Sequence, residues 1–270
     1  MNIPLISIVV PTFNSERTLR ACLASIVGQT YGKTEVVVVD GLSSDATLDV
    51  VREFESLRRD IQWSSEKDAG IYDAINKGVG RAKGEWIHVL GSDDRLFVPG
   101  TLETAAAFLG ACTEGVVYGN VLVKGNAGWA GDGRIYDGKF DLRKLLQQNI
   151  CQQAVFYRRS LFARIGYFNT EYSVCADWDF MLRCAGRSSL QYIDVIVAEF
   201  NGGGASKTVK EVRFYEDFAQ NMFAYFGSRI FGKEFQPVAW RFGQHAAAEA
   251  ARGDRAAALF YRQVHDRLVS

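Results

Sequence analysis

The chain has 270 residues, 48% apolar and 23% charged, which allows one large core and argues against a disordered segment. Its 31 Lys+Arg balance 31 Asp+Glu, so no basic excess points to nucleic acid as a partner. Five cysteines (Cys22, Cys112, Cys151, Cys175, Cys184) with no CxxC pair fit neither a zinc site nor a disulfide framework, and are expected as free thiols in a reducing, cytoplasmic setting.

Residues 5–10 are the first apolar run and end in Pro11-Thr12-Phe13-Asn14. Met1-Asn2-Ile3-Pro4 before them carries no basic leader, so a buried strand is expected here and not a signal peptide. No run reaches the roughly 18 apolar residues that cross a bilayer. Leu19, Cys22, Leu23, Ile26 and Val27 then share one helical face. Residues 35–39 hold four consecutive valines, the pattern of a parallel strand covered on both sides. Leu48, Val51 and Phe54 mark a second helix, with Ser43, Ser44 or Asp45 available to cap it. A strand over 61–64, a helix over 71–82 and a strand over 85–90 follow. Strict alternation of this kind predicts βαβ units and a mostly parallel sheet.

Past Asp94 the rhythm changes to a glycine-rich, hairpin-like stretch (116–129), short helices, a strand over 154–157 and another over 190–200. From about Lys210 the pattern is helical to the end, with Pro237 expected to open a helix.

In open α/β sheets ligands bind beyond the carboxyl ends of the strands. The polar residues expected there are Thr12 and Asn14, Asp40, Asp68, and Asp93-Asp94. Any one aspartate has a turn or cap reading, but carboxylates gathered in one cleft repel each other and need a cation or hydrogen-bond donors. Asp93-Asp94, after Gly91-Ser92, is the hard-oxygen environment that Mg²⁺ or Mn²⁺ prefers beside phosphate oxygens. The three histidines (His88, His245, His265) are scattered, and His88 is expected as a core or edge residue.

The runs Val9-Val10-Pro11-Thr12-Phe13-Asn14, Val39-Asp40-Gly41-Leu42-Ser43-Ser44-Asp45, Asp68-Ala69-Gly70-Ile71-Tyr72-Asp73-Ala74-Ile75-Asn76-Lys77-Gly78 and Leu90-Gly91-Ser92-Asp93-Asp94 resemble, in order, the opening motifs of family 2 glycosyltransferases with the GT-A fold. The resemblance implies an α/β, Rossmann-like GT-A domain over 1–209, with a nucleotide-binding half (1–95), an acceptor half (96–209), and a helical extension over 210–270. It implies an inverting, non-processive, metal-dependent enzyme using a nucleotide-sugar donor. The acceptor would be a sugar, lipid-linked or other hydroxyl, in surface polysaccharide or glycolipid synthesis.

Position by position, Pro11, Thr12, Asn14, Asp40 and Ser92 would line the donor pocket, with Asp40 accepting from the base imide and so favouring uridine. Asp68 would support base or ribose, Lys77 would approach the phosphates, Asp93 would contact ribose or metal, and Asp94 would be the principal metal ligand. Gly-Ser-Asp-Asp stands where the family often has a spaced Asp-x-Asp, which leaves open which aspartate ligates. Asp177, in Cys175-Ala176-Asp177-Trp178-Asp179, occupies the place of the family's catalytic base, with a helix-cap role or Asp179 as the competing readings. Gln152-Gln153 resembles the acceptor-side polar pair, so Gln153 either binds donor-sugar hydroxyls or is an edge-strand polar group. Phe200-Asn201-Gly202-Gly203-Gly204-Ala205-Ser206 resembles the family's glycine-rich loop after the last sheet strand, with a lid over the donor and a plain loop as the two readings.

Tyr215, Phe218, Met222, Tyr225 and Phe226, then Leu259, Phe260, Val264 and Leu268, form stripes at helical spacing. Three readings stay open: packing on the chain's own core, a homodimer contact, or a peripheral contact at the membrane's inner face. Two alternatives stand beside the transferase, a sugar nucleotidyltransferase and a non-catalytic nucleotide-sugar binding module. The first usually carries a glycine-rich loop and a basic residue after strand one, absent from 11–15, and the second would be expected to have lost Asp94 or Asp177.

Overall fold

Residues 3–204 and 209–270 are described by a computed structural model; Met1 and Asn2 of the start, and Ala205 and Ser206 of the expected lid, lie outside the described residues. Every residue of β1 (Ile6–Thr12) and β2 (Thr34–Asp40) is buried, and the two pair in parallel from Ile6↔Thr34 to Thr12↔Asp40. The valine run explains how. Val36 and Val38 face one apolar layer, with Leu23 of α1 (Leu19–Val27) and Phe54 of α2 (Thr47–Leu57). Val37 and Val39 face the other, with Ile75 and Val79 of α3 (Ile71–Arg81). Both sides of a parallel strand are covered, so no residue can be polar without a specific partner.

β3 (Ile61–Ser65) and β4 (Trp86–Val89) extend the parallel half, so that the strand order begins β3-β2-β1-β4. The second half departs from strict alternation. After the short β5 (Arg95–Leu96) and α4 (Thr101–Leu109) comes β6 (Val116–Lys124), returned by β7 (Ile135–Tyr136). α5 (Leu142–Leu145) leads to β8 (Val155–Arg158), which inserts antiparallel between β4 and β6. α6 (Ser160–Ile165) and α7 (Ala176–Arg187) precede β9 (Leu190–Asn201), which runs parallel to β6. Among the described residues one mixed sheet of nine strands results, in the order β3-β2-β1-β4-β8-β6-β9-β5 with β7 beside β6. Joining β8 to both halves makes the sheet continuous beneath the site.

The C-terminal stripes pack on the chain's own core. Phe214, Phe218 and Met222 of α8 (Arg213–Phe226) are fully buried, and Phe214 lies 5.2 Å from Trp178 of α7. α9 (Ala239–Arg252) and α10 (Arg255–Val269) contribute Phe242, Val264 and Leu268 to the same layer. Tyr215, Phe223 and Leu259 remain exposed. Pro237 does not open an α-helix; it sits inside a 3-10 turn (Lys233–Val238) directly before α9, which loses no hydrogen bond to its missing N–H.

Candidate active site

The loops that leave β1, β2 and β4 are tied to one another. Asn14 adopts a left-handed backbone (φ 47), as does Leu42 (φ 63), both sparsely populated for residues with a side chain. The Asn14 N–H donates to Ser43 Oγ at 2.7 Å, and Asn14 Oδ1 accepts from the Ser44 N–H at 2.9 Å. The Ser15 N–H donates to Thr47 Oγ1 at 2.7 Å, while the Ser15 hydroxyl meets that of Ser92 at 2.9 Å. These bonds hold the strand ends as one rim.

A cleft of about 770 Å³ opens along it, lined by Pro11, Thr12, Asn14, Arg17, Asp68, Ser92 and Asp93. Thr12 Oγ1 is buried in this lining without a hydrogen-bond partner. A second cleft of about 590 Å³ adjoins it and shares Pro11, Ile71, Gly91 and Asp93. Asp94, Asn149, Gln153 and Asp177 stand on its walls, together with Tyr72, Trp129, Tyr136 and Phe200.

Two predicted residues stand outside both clefts. Asp40 has no exposed surface: Oδ1 accepts from the Ser43 hydroxyl, and Oδ2 from the Ser43 N–H at 3.0 Å and Ser65 Oγ at 2.6 Å. A buried carboxylate is held by such donors, so Asp40 braces the rim from beneath instead of lining the pocket. Lys77 donates to the Lys67 carbonyl at 2.7 Å and pairs with Asp73 at 3.1 Å, one turn earlier on α3, and lines neither cleft. A cation does line the first cleft, Arg17, which sequence reasoning passed over because it follows the strand by five residues.

Asp93 and Asp94 fold back over Gly91. A Cβ there would lie 2.5 Å from Asp94 Oδ2 and 3.1 Å from Asp93 Oδ1, so the turn needs glycine for space. Asp94 is almost fully buried, its Oδ1 accepting from the Asn201 N–H and its Oδ2 from Gln153 Nε2, both at 2.7 Å. Burial, and then the neighbouring Asp93, raise its proton affinity well above the ordinary carboxylate range, and burial raises that of Asp93. No ion pair with Lys or Arg compensates either group among the described residues. The pair therefore attracts a proton or a metal cation.

Asp177 enters the second cleft from the first turn of α7. Its Oδ1 accepts from the Trp178 N–H at 2.8 Å and from Tyr72 Oη at 3.0 Å, and its Oδ2 from Asn149 Nδ2 at 2.9 Å. Burial pushes the carboxyl up to about 6, against the hydrogen bonds that favour its charged form. Asp177 is not the N-cap residue of α7, which is Cys175, although its Oδ1 does take the first-turn Trp178 N–H. Asp179 faces away, bound to Arg183 at 2.9 Å and to Tyr225 Oη at 2.5 Å. Gln152 and Gln153 both line the cleft, and Gln152 Oε1 accepts from the Tyr157 hydroxyl. His88 is a core residue, stacked on Phe156 and 3.0 Å from the Val155 carbonyl, with burial lowering it to about 4.

Tyr72, Asn149 and Asn201 were not singled out from sequence. Tyr72 and Asn201 lie inside quoted motifs but read as helix core and loop, and nothing local marks Asn149. Gly204 does border Asp93, as a glycine-rich flap beside the cleft would.

The profile described as Glycosyl transferase family 2 matches residues 7–166. A PGL/p-HBAD biosynthesis glycosyltransferase of Mycobacterium bovis is 43% identical over 221 residues, covering 79% of this chain and 84% of that protein. Among solved structures, Staphylococcus aureus TarS with UDP-GlcNAc overlays with a TM-score of 0.68 at 23% identity, over 90% of this chain and 73% of that one. A Pyrobaculum calidifontis mannosyltransferase with GDP-Man and Mn²⁺ gives 0.61 at 21% identity, over 100% of this chain and 86% of its own. At these identities the two structures speak to the fold.

Proposed function

The chain belongs to glycosyl transferase family 2 and is a glycosyltransferase with a GT-A fold, and on that premise we propose that it moves a sugar from a UDP-sugar to a glycolipid hydroxyl with inversion at the anomeric carbon. The observation that carries this reading is one cavity holding both a compact acidic pair, Asp93-Asp94, and the separate carboxylate Asp177. Single displacement needs both: charge neutralisation at the leaving diphosphate, and a base for the attacking hydroxyl.

In this reading residues 1–95 hold the nucleotide and residues 96–209 the acceptor, while 210–270 buttress α7. The nucleoside lies along Thr12, Asn14, Asp68 and Ser92, where the unpaired Thr12 hydroxyl gains a partner, and Arg17 faces the diphosphate. Asp93 and Asp94 fit a divalent cation: they are hard, adjoining and uncompensated, although no third His, Cys, Asp or Glu joins them among the described residues. Bound Mg²⁺ or Mn²⁺ would supply charge neutralisation of the departing diphosphate. Gln153 and the Asn201 N–H fix the Asp94 carboxylate, and Asp177 takes the proton of the acceptor hydroxyl.

The acceptor side is walled by aromatic rings, with Trp129 4.6 Å from Tyr136 and 5.6 Å from Phe200. Ile71, Ile75 and Val89 line the same cleft. An apolar wall of this kind suits an acceptor with an apolar portion, in keeping with the biosynthetic role in the mycobacterial relatives' name. Among the described residues no helix is long and apolar enough to cross a membrane. For a lipid-borne acceptor, the exposed Tyr215, Phe223, Trp240 and Leu259 of the C-terminal helices are apolar groups open to a peripheral membrane contact.

The test is a panel of UDP-sugars with alkyl and aryl glycosides as acceptors, reading UDP release, in wild type and Asp177→Asn. The variant is expected to keep UDP binding and to lose at least about 100-fold in turnover. Undiminished turnover in the variant refutes the assignment.

A further inference from the structure

Asp177 is not a bare carboxylate; its two oxygens are held unequally. Oδ1 accepts two hydrogen bonds, from the Trp178 N–H at 2.8 Å and from Tyr72 Oη at 3.0 Å. Oδ2 accepts one, from Asn149 Nδ2 at 2.9 Å. A carboxylate oxygen has two in-plane lone pairs, so whenever Tyr72 donates to Oδ1 that oxygen is filled, while Oδ2 keeps one lone pair free. We propose that Tyr72 and Asn149 are positioning residues which aim Asp177 so that Oδ2 takes the proton of the acceptor hydroxyl; this rests on Asp177 being the base. The acceptor O–H bond breaks and its proton goes to Oδ2. The oxygen's electron pair forms the new bond at the anomeric carbon, and the bond from that carbon to the diphosphate breaks with its pair leaving on the diphosphate.

The two positioning groups come from opposite halves of the fold. Tyr72 lies in the second position of α3, and Asn149 in the segment between α5 and β8. Both are anchored: the Tyr72 ring stacks on Phe168 at 5.9 Å, and the Asn149 carbonyl accepts from Tyr136 Oη at 2.6 Å. The Asn149 amide is oriented by charge, because its carbonyl oxygen would repel the carboxylate and its NH₂ does not. That orientation leaves Asn149 Oδ1 buried without a partner. A half-turn of the amide would offer this acceptor to Oδ2 once it is protonated.

Tyr72 has one hydroxyl proton and two acceptors, the Val174 carbonyl at 2.5 Å and Asp177 Oδ1 at 3.0 Å. Charged Asp177 is the stronger acceptor and competes for the proton; neutral Asp177 releases it to Val174. Tyr72 therefore favours the charged base without leaving its own hydroxyl unsatisfied in the neutral state. The titratable neighbours coupled to Asp177 are Tyr72, Tyr136, Tyr157, Cys151 and Cys175, all uncharged at neutral pH. Arg134, Asp137 and the acidic pair Asp93 and Asp94 share the cleft. The hydrogen bonds from Tyr72 and Asn149 both lower the carboxyl's proton affinity against burial.

Asp177 can be titrated directly, without substrate, by NMR of protein carrying ¹³C-labelled aspartate carboxyls, with Asp177→Asn identifying the resonance. The wild-type midpoint is expected near 6. Tyr72→Phe and Asn149→Leu each remove a donor to the charged form, so each should raise the midpoint, by about one pH unit. The acidic limb of kcat should move with it, while KM for the donor stays unchanged. Damage to packing alone would lower kcat at every pH and leave the midpoint in place. A midpoint unmoved in both variants overturns the inference, and either variant suffices if the other fails to fold. An active Asp177→Asn would instead remove the base assignment, whatever the midpoint does.

Discussion

Gly91→Ala is a small change whose effect can be worked from the geometry. The added methyl carbon would stand 2.5 Å from Asp94 Oδ2 and 3.1 Å from Asp93 Oδ1. The first distance is roughly 1 Å inside optimal van der Waals separation, so the Asp94 carboxylate must move. It is not free to do so, because Gln153 Nε2 and the Asn201 N–H each hold it at 2.7 Å. Giving up one hydrogen bond to a charged group costs about 1.5–3 kcal/mol, which corresponds to roughly a 10–100-fold change in an equilibrium constant. The loss should fall on the affinity for Mn²⁺ with UDP, since the acidic pair is displaced while the strands beneath it are untouched. Isothermal titration of UDP in the presence of Mn²⁺ reads it directly. Gly100→Ala is the control, with nothing within 4 Å of its added Cβ. Wild-type affinity in Gly91→Ala would refute the argument that this pair, in this geometry, forms the metal and diphosphate site.

Two glycines of α3 should respond with opposite signs. At Gly78 a Cβ would overlap Val9 Cγ1 and meet Val39 Cγ2 at 3.2 Å, so Gly78→Ala should destabilise by about 1–3 kcal/mol in urea unfolding. Gly80, with nothing within 4 Å, should gain about 0.5–1 kcal/mol on Gly80→Ala from helix propensity. EDTA is expected to abolish UDP-sugar turnover, with recovery on adding Mn²⁺ or Mg²⁺; full activity in EDTA would remove the metal from the mechanism. Trp129→Ala should raise KM for aryl and alkyl glycoside acceptors and leave UDP affinity alone, and an unchanged acceptor KM would take the aromatic wall out of recognition. Trp240→Ser should weaken co-sedimentation with anionic liposomes if α9 contributes a membrane contact, and unaltered sedimentation assigns that face elsewhere.

Much of this protein is legible in its residues because the decisive signals are local. Four valines in a row are the pattern of a strand covered on both sides, and Asp93-Asp94 after an apolar strand and Gly91-Ser92 falls at a carboxyl edge wherever that strand sits. The motifs that identify the family are of this sort: short runs whose backbone needs glycine, proline or a capping residue. Other features depend on what is far away in the chain. Asp40 reads like a pocket residue, yet Ser65, 25 positions later, turns it into a buried brace. Lys77 reads like a phosphate ligand, and in the fold its ammonium meets Asp73 and the Lys67 carbonyl. Asn149 carries no local signal, and only its approach to Asp177 gives it a part to play. The antiparallel insertion of β8 and the burial of the C-terminal aromatic stripe are likewise outcomes of packing. Strand and helix periods arise from neighbours along the chain, so the sequence could set the α/β order and the positions of the acidic edges. Which oxygen faces which donor is a matter of a few ångströms between segments dozens of residues apart, and the tertiary structure decided that.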